Sequence, residues 1–151
     1  MHWLSDDFTP PARLDLDTGH HLRPIREYDV DIDYPAVMGS RERLWEKYGE
    51  AWGWPPADMT YEADKEDLAH HEREIAAKET FNYAVLDEGE TQLFGCVYID
   101  PPGPDSPSGT DAVASWWVDE AAGTDLEREL DATVPCWLTD TWGFAQVHYH
   151  P

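Results

Sequence analysis

Runs of apolar residues between polar turns predict the central strands of this chain. Phe81 to Leu86 and Gln92 to Ile99 are two such runs, joined by an Asp-Glu-Gly-Glu turn, which is the pattern of a β-hairpin. Gly95 within the second run predicts a bulge or a close approach of two backbones. After a Pro-, Gly- and Ser-rich loop from Pro101 to Thr110, the run Ala112 to Val118 predicts a buried strand.

Helical patterns occur before and after these strands. Apolar residues at near-helical spacing predict a short helix within Tyr28 to Met38, in which Pro35 suits the first turn better than the interior. Arg41 to Tyr48 continues the helical pattern, and Glu50 to Asp58 is typical of a tryptophan- and proline-rich loop. Thr124 to Thr139 predicts a further helix.

The segment from Thr60 to about Lys78 predicts a largely solvated helix. Thr60 is a favoured N-cap residue, and acidic residues follow it in the first turn. Leu68 and Ile75 mark a narrow apolar side. Glu74 and Lys78 have the i,i+4 spacing of a supporting ion pair.

The two ends of the chain complete the pattern. Arg13 to Ile25 contains two short strand-like pieces around an Asp-Thr-Gly turn, and Pro24 indicates a strand end or an edge position. Phe144 to Tyr149 predicts the last strand. Residues 1–12 are expected to form an irregular N-terminal strap, and residues 1–151 a single domain.

Acidic residues dominate the charge of the chain. It contains 32 Asp and Glu against 10 Lys and Arg, for a formal net charge of −22. This balance excludes the basic surface that nucleic acids and anionic membranes require. The basic residues are concentrated near the N-terminus, which favours an anionic ligand in that half: Arg13, Arg23, Arg26, Arg41, Arg43 and Lys47.

The excess of carboxylates has two explanations. Few lysines and many surface carboxylates resemble proteins of salt-accumulating cells, where 1 M salt screens repulsion beyond about 3 Å. An ordinary acidic protein of the cytoplasm explains the composition equally well. The first residues lack the basic and apolar regions of a signal peptide, so we expect a cytoplasmic protein.

Cysteines and histidines predict neither a disulfide framework nor a metal site. Cys96 and Cys136 both lie in apolar sequence surroundings and are expected to be small core residues. The histidines come in pairs, whereas a divalent metal needs three or four converging ligands. These pairs are His20 with His21, His70 with His71, and His148 with His150.

The stretch from Asp111 to Leu130 is the most informative one for function. A buried strand turns at Gly123 into a helix, and such a junction directs free backbone N–H groups and the positive helix end at one point. Many folds hold phosphate in this way. Thr124 and Glu127 have the spacing of a capping box, through which the helix would satisfy its own N–H groups.

These elements and local sequences resemble the GNAT acetyltransferase superfamily. The order is strand, two helices, hairpin, strand, helix and strand, with a family-like Leu-Arg-Pro in Thr18 to Ile25 and a Leu-Phe-Gly-Cys-Val strand. The resemblance implies a three-layer α/β (α+β) domain with a central mixed, mostly antiparallel sheet flanked by helices. It also implies a C-terminally shortened member, whose exposed sheet edge either a homodimer or the N-terminal strap would cover.

The same resemblance implies acetyl-CoA as cosubstrate. In the family, the strand matching Ala112 to Val118 receives the pantetheine arm, and the next turn, Arg/Gln-x-x-Gly-x-Gly/Ala, wraps the pyrophosphate. Here Glu120 stands in place of Arg or Gln, and Asp125 in place of Gly or Ala. The implied cofactor-binding residues are Trp117, Val118, Gly123, Thr124 and Asp125.

The catalytic residues of the family have no direct match. The strand carboxylate of many relatives falls on Val113, so Asp111, two positions earlier on the same strand face, is the nearest candidate base. A solvated residue at the strand start is the alternative interpretation of Asp111. The tyrosine acid of relatives has no matching position.

Two functions follow. The leading hypothesis is a GNAT-like N-acyltransferase that moves an acetyl group from acetyl-CoA to a small-molecule amine or a protein N-terminus. Backbone N–H groups near Trp117 and Val118 would polarise the thioester carbonyl. The alternative is a non-catalytic GNAT-like binding or regulatory module with a degenerate CoA site.

Overall fold

The computed structural model describes residues 3–150 and contains, within that range, six strands and four α-helices. In chain order they are β1 (Leu14–Asp15), β2 (His21–Pro24), α1 (Val30–Gly39), α2 (Arg41–Trp52), α3 (Tyr61–Ala76), β3 (Phe81–Leu86), β4 (Leu93–Asp100), β5 (Ala112–Val118), α4 (Thr124–Asp140) and β6 (Val147–Tyr149). Short 3₁₀ turns at Glu27–Asp29 and Glu120–Ala122 precede α1 and α4.

The strands form one sheet in the order β1-β2-β3-β4-β5-β6. Every neighbouring pair is antiparallel except β5 and β6, which are parallel. The predicted mixed, mostly antiparallel sheet is therefore confirmed. Only Ala112 to Ala114 of β5 pair with β6, so the rest of this strand has no described strand on its outer edge.

Helices cover both faces of the sheet and give it two cores. Because successive strand residues face opposite sides, neighbouring positions of β5 enter different cores. Val118 packs with Leu126 and Leu130 of α4, whereas Trp117 packs with Leu44 of α2 and Leu68 of α3. The α+β class and the layered arrangement are thus as predicted.

Helices α1 and α2 differ from the sequence prediction in where they begin and end. Pro35 lies inside α1 and not in its first turn, because the helix already begins at Val30. The missing N–H of this proline costs the helix one internal hydrogen bond. Helix α2 continues through Trp52 and ends at Gly53, whose φ of 62° suits glycine, so the predicted loop begins later than expected.

Helix α3 begins as predicted and ends earlier. The Thr60 hydroxyl accepts a hydrogen bond from Ala63 N at 3.1 Å, which confirms the N-cap. The helix ends at Ala76, and Lys78 has a φ of 58°. Its Nζ donates to Phe8 O at 2.6 Å, so the predicted pairing of Lys78 with Glu74 is wrong.

Two further expectations are corrected near the C-terminal end. Cys136 is exposed on α4, while Cys96 is buried as predicted. Burial raises the pKa of the Cys96 thiol well above its usual range. The last strand spans only Val147 to Tyr149, because Phe144 packs in the core beside Trp142 and does not join the sheet. Within residues 3–150, no helix combines the length and apolarity needed to cross a membrane.

Candidate active site

The outer edge of β5 beyond β6 exposes backbone groups. Asp119 N donates to Phe94 O at 2.6 Å, and Cys96 pairs with Trp117. Because hydrogen bonding alternates along an antiparallel pair, the backbone groups of Trp117 face β4, and those of Trp116 and Val118 face the outer edge. Lys47 Nζ donates to Trp116 O at 2.6 Å from that side, as this alternation requires.

A cavity of about 200 Å³ lies against this edge, between α2, β5 and α4; we call it the β5 cleft. Arg43 and Lys47 of α2 supply positive charge, and Glu127 and Asp131 of α4 supply negative charge. Burial lowers the pKa of Lys47, and the two carboxylates oppose that change. The cleft also includes Ser40, Leu44, Trp116, Trp117 and Val118.

The start of α4 keeps free N–H groups. Gly123 is the N-cap residue, with φ 80° and ψ −178°, and no side chain of the described residues 3–150 caps the helix. The predicted capping box is therefore wrong: Thr124 is already the first helical residue, one position too late to act as the cap. The nearby Asp119 carboxylate accepts from Ala121 N at 2.9 Å within the preceding 3₁₀ turn.

The start of α4 presents backbone N–H groups together with acidic side chains, Asp125 and Glu127. Without a side-chain acceptor from residues 3–150, the N–H groups of the first turn remain available to an anionic ligand. Gly123, Thr124 and Asp125 are all exposed here. They do not line the β5 cleft itself, although Glu127 of the same helix does.

Two more cavities open on the sheet face that α1, α2 and α3 cover. The acidic cavity, of about 280 Å³, is lined by four aspartates and one histidine: Asp33, Asp64, Asp67, Asp100 and His71. The loop cavity, of about 300 Å³, lies between the 101–106 loop, Ser115 and His150. Trp52 and Asp100 line both, so the two cavities adjoin one another.

Asp100 lies at the boundary between these cavities. It ends β4, is half-buried and pairs with Val113 of β5. Burial raises the pKa of its carboxyl to about 6, and the charge of Glu74 acts in the same direction. Such a carboxylate is ionised at neutral pH yet basic enough to accept a proton during a reaction.

Asp33 and Asp64 form a buried carboxyl pair deeper in the acidic cavity. Their exposed fractions are 3% and 1%, and their side chains hydrogen-bond to each other. Burial, followed by the negative charge of Asp64, raises the pKa of Asp33 well above its usual range. Two adjacent carboxylates in low dielectric cannot both ionise at ordinary cost, so the pair retains one proton.

Asp111, the base suggested by sequence, has a different environment. Its carboxylate accepts from Ala145 N at 2.8 Å and Gln146 N at 2.9 Å, and its own N–H donates to Gln146 O. These bonds hold the segment before β6 in place. Asp111 borders none of the three cavities described above, whereas Asp100 on the adjoining strand borders two.

Sequence reasoning missed Asp100 because it follows an apolar run directly and is typical of a strand end. The available signal was its position two residues after Tyr98 in the same strand. This spacing places both side chains on the sheet face that α1 to α3 cover. Asp33 and Asp64 were equally hidden among the many acidic residues. Only the packing of α1 against α3 brings them together.

Neither a family model nor a curated protein matches this chain. Solved structures do. A ribosomal-protein-S5-alanine acetyltransferase from Vibrio fischeri superposes with a TM-score of 0.66 at 16% identity, over 92% of this chain and 73% of that one. The chain has the GNAT fold.

Two other GNAT structures are similar to this chain. RimL, a ribosomal L7/L12 alpha-N-protein acetyltransferase in complex with coenzyme A, gives a TM-score of 0.62 at 15% identity, over 83% of this chain and 67% of that one. The acetyltransferase from Salmonella typhimurium that modifies the N-terminal serine of L7/L12 gives a TM-score of 0.60 at 14% identity, over 83% of this chain and 67% of that one. The predicted GNAT architecture is confirmed at the level of the fold.

Proposed function

We propose that this GNAT-fold protein is an N-acyltransferase that uses acetyl-CoA. The observation that carries the proposal is the unpaired edge of β5 beside a cleft lined by Arg43 and Lys47. An extended backbone edge suits the amide-bearing arm of a coenzyme A thioester, and the uncapped start of α4 suits its phosphates. A GNAT neighbour of known structure was solved with coenzyme A.

The backbone of β5 would orient and polarise the acyl group. Trp116 and Val118 both direct their N–H groups to the outer edge. Val118, nearer to α4, would hold the amide-bearing arm, and Trp116, nearer to the loop cavity, would donate to the thioester oxygen. A fixed donor of this kind stabilises negative charge that develops on the thioester oxygen. Trp117 contributes through its buried side chain, whose Nε1 donates to Tyr98 Oη at 2.9 Å and keeps the strand in position.

The acceptor amine would enter the loop cavity, which Val113, Ala114 and Ser115 of β5 line next to Trp116. Its nitrogen attacks the thioester carbonyl, a C–N bond forms, the C–S bond breaks, and coenzyme A leaves as the thiolate. We assign the proton of the amine to Asp100, whose carboxylate lines this cavity. The acceptor is a small amine or a protein N-terminus, the latter being the substrate class named for neighbours.

Binding of acetyl-CoA tests the first half of the proposal. We expect calorimetry to show binding and Arg43→Gln to weaken it about tenfold, since one charge-assisted contact to phosphate is lost. Arg73→Gln is the matched control, because Arg73 is exposed on α3 and does not line the cleft. Absence of binding at both low and multimolar KCl would remove the enzyme hypothesis.

Transfer kinetics test the second half. Asp100→Asn should lower kcat by about 100-fold or more, the usual effect of losing a general base, and leave acetyl-CoA binding unchanged. The wild-type rate should fall as pH drops below about 6, because the pKa of Asp100 is raised to about 6 and only its ionised form accepts a proton. If Asp111→Asn loses the rate and Asp100→Asn keeps it, the assignment is wrong.

A non-catalytic binding module is the second candidate. Glu127 and Asp131 line the β5 cleft and oppose an anionic ligand, and Lys47 already binds Trp116 O. This reading expects no transfer to any amine, with or without acetyl-CoA binding. A homodimer and a cytoplasmic location stay predictions from the sequence.

A further inference from the structure

The acidic cavity contains a buried hydrogen-bond acceptor that the described residues leave unpaired. Asn82 Oδ1 has no hydrogen-bond partner within residues 3–150, and the donor available there to Asp64 Oδ2 is the proton that Asp64 shares with Asp33. Asp64 is 1% exposed and Asn82 is 4% exposed, and both residues line the cavity. A buried acceptor without a donor is costly, so the Asn82 oxygen favours a ligand that brings one.

The chemistry of the lining selects the kind of donor. An ammonium group has three N–H donors and no acceptor, which matches an unpaired amide oxygen beside a carboxyl pair that carries negative charge. The Asp33 and Asp64 pair keeps one proton and so presents a single negative charge to a single cation. The wall also contains apolar and aromatic residues, which suit an aliphatic arm: Leu68, Phe81, Tyr98, Trp52 and Trp54.

The position of the cavity connects it to the proposed reaction. Trp52 and Asp100 line both the acidic cavity and the loop cavity, so one flexible molecule can extend from one to the other. An amine beside Asp100 in the loop cavity would then have its second end near Asp64. This step rests on the proposed function, because it takes the loop cavity as the place where the acceptor reacts.

We propose that the acidic cavity binds a primary ammonium group on an aliphatic arm, and that the preferred acceptor therefore carries two amines. One amine remains protonated against Asp64 and Asn82 and anchors the molecule. The other lies beside Asp100, loses a proton and receives the acyl group. An aliphatic monoamine of equal length offers only one of these contacts.

Direct binding without acetyl-CoA tests the cavity itself. We expect calorimetry to show 1,4-diaminobutane binding at least tenfold more tightly than butylamine. The double variant Asp33→Asn, Asp64→Asn should abolish this preference, because single variants leave the remaining aspartate free to carry the charge. Equal binding of the two amines by the wild type overturns the inference.

A second double variant provides the control. Asp31→Asn with Glu66→Gln replaces the same number of acidic residues in the same two helices, at exposed positions that do not line the cavity. We expect it to keep the preference for the diamine. Thermal melting of both double variants shows that each is folded, and loss of the preference in both would overturn the assignment to Asp33 and Asp64.

Further measurements separate this inference from the proposed function. If the protein binds the diamine but transfers no acetyl group, the ammonium site is supported and the proposed enzyme activity is wrong. If it acetylates diamine and monoamine with equal kcat/KM, the enzyme activity is supported and the preference for a diamine is wrong. A peptide with lysine in its second position, compared with norleucine there, tests whether a side chain supplies the second amine. Competition of Mg²⁺ or Ca²⁺ with the diamine at equimolar concentration would overturn an ammonium site.

Discussion

Asp33 is the residue whose chemistry depends most on its surroundings. It is almost fully buried and hydrogen-bonds to Asp64, and burial raises its pKa well above the usual value. In the unfolded chain the same carboxyl ionises near its ordinary pKa of about 3.9. Protonation therefore stabilises the folded state. This contribution is complete below the unfolded pKa and is lost as the pH rises through the folded one.

Replacing Asp33 should remove this pH dependence. Asn keeps the shape of the protonated carboxyl and can still donate a hydrogen bond to Asp64. The Tm of Asp33→Asn should therefore be close to that of the wild type at pH 5. Between pH 5 and pH 9 the Tm of the variant should exceed that of the wild type by a growing margin. Circular dichroism melts measure this. Asp31→Asn, at an exposed position of the same helix, is the control, and a difference from wild type that is constant with pH would contradict the expectation.

Gly95 is a second residue fixed by its neighbour. A Cβ at this position would lie 2.1 Å from Trp117 O, so the predicted close approach of two backbones is confirmed. The pairing of β3 with β4 also shifts register between Val85 and Leu86, next to the Val85 pairing with Gly95. The glycine allows β4 and β5 to meet tightly just where the outer edge of β5 opens.

Gly95→Ala should destabilise the protein by about 1–3 kcal/mol, the usual cost of overpacking, because the Trp117 backbone must move. Urea unfolding measures the free energy. Gly103→Ala is the matched control, since a Cβ there meets no atom within 4 Å. Equal stability of the two variants would show that the strands separate without cost.

At the scale of elements, one cationic side chain joins three of them. Arg23 of β2 donates from Nη1 and Nη2 to Asp29 at 2.8 Å each, in the 3₁₀ turn before α1. Its Nε donates to Glu90, in the turn between β3 and β4. Glu90 also contacts His21 Nε2 at 2.6 Å. This network fixes β2 relative to the 3₁₀ turn before α1 and to the turn between β3 and β4.

Removing Arg23 from this network should lower the stability of the protein, and removing its buried partner as well should restore part of that stability. Arg23→Met should lower the free energy of unfolding by about 3–5 kcal/mol, because it leaves the buried Asp29 carboxylate without its cationic partner. Adding Asp29→Leu should recover part of the loss, since no buried charge then remains. Urea unfolding of the two variants measures both values. A double variant that is less stable than the single one would contradict this account.

At the scale of the whole molecule, self-repulsion opposes folding. The formal net charge is −22, and screening shortens its range from about 10 Å at 0.1 M salt to about 3 Å at 1 M. We expect Tm to rise with KCl at pH 7.5 and to be almost independent of KCl near the sequence pI of about 4.3. Thermal melts over a KCl series test this, and a flat series at pH 7.5 would defeat the salt-adaptation hypothesis.

The sequence by itself determined the elements whose causes are local. The strands Phe81 to Leu86 and Ala112 to Val118 have apolar runs of strand length, and the Thr60 cap depends only on its own first turn. Local signals gave a wrong prediction where the helix began one residue earlier than the predicted capping box required. Thr124 has the composition of a cap, but Gly123 takes that position, and the helix start stays open to a ligand.

Only the tertiary structure decided the candidate site, because its parts come from elements that are distant in the chain. Lys47 reaches Trp116 O from α2, and Asp33 meets Asp64 through the packing of α1 on α3. The raised pKa of Asp100 results from its burial away from water, and the spacing of residues in the sequence does not predict that burial. Periodicity reports which face a residue occupies, and burial and cross-chain contact decide what that residue can do.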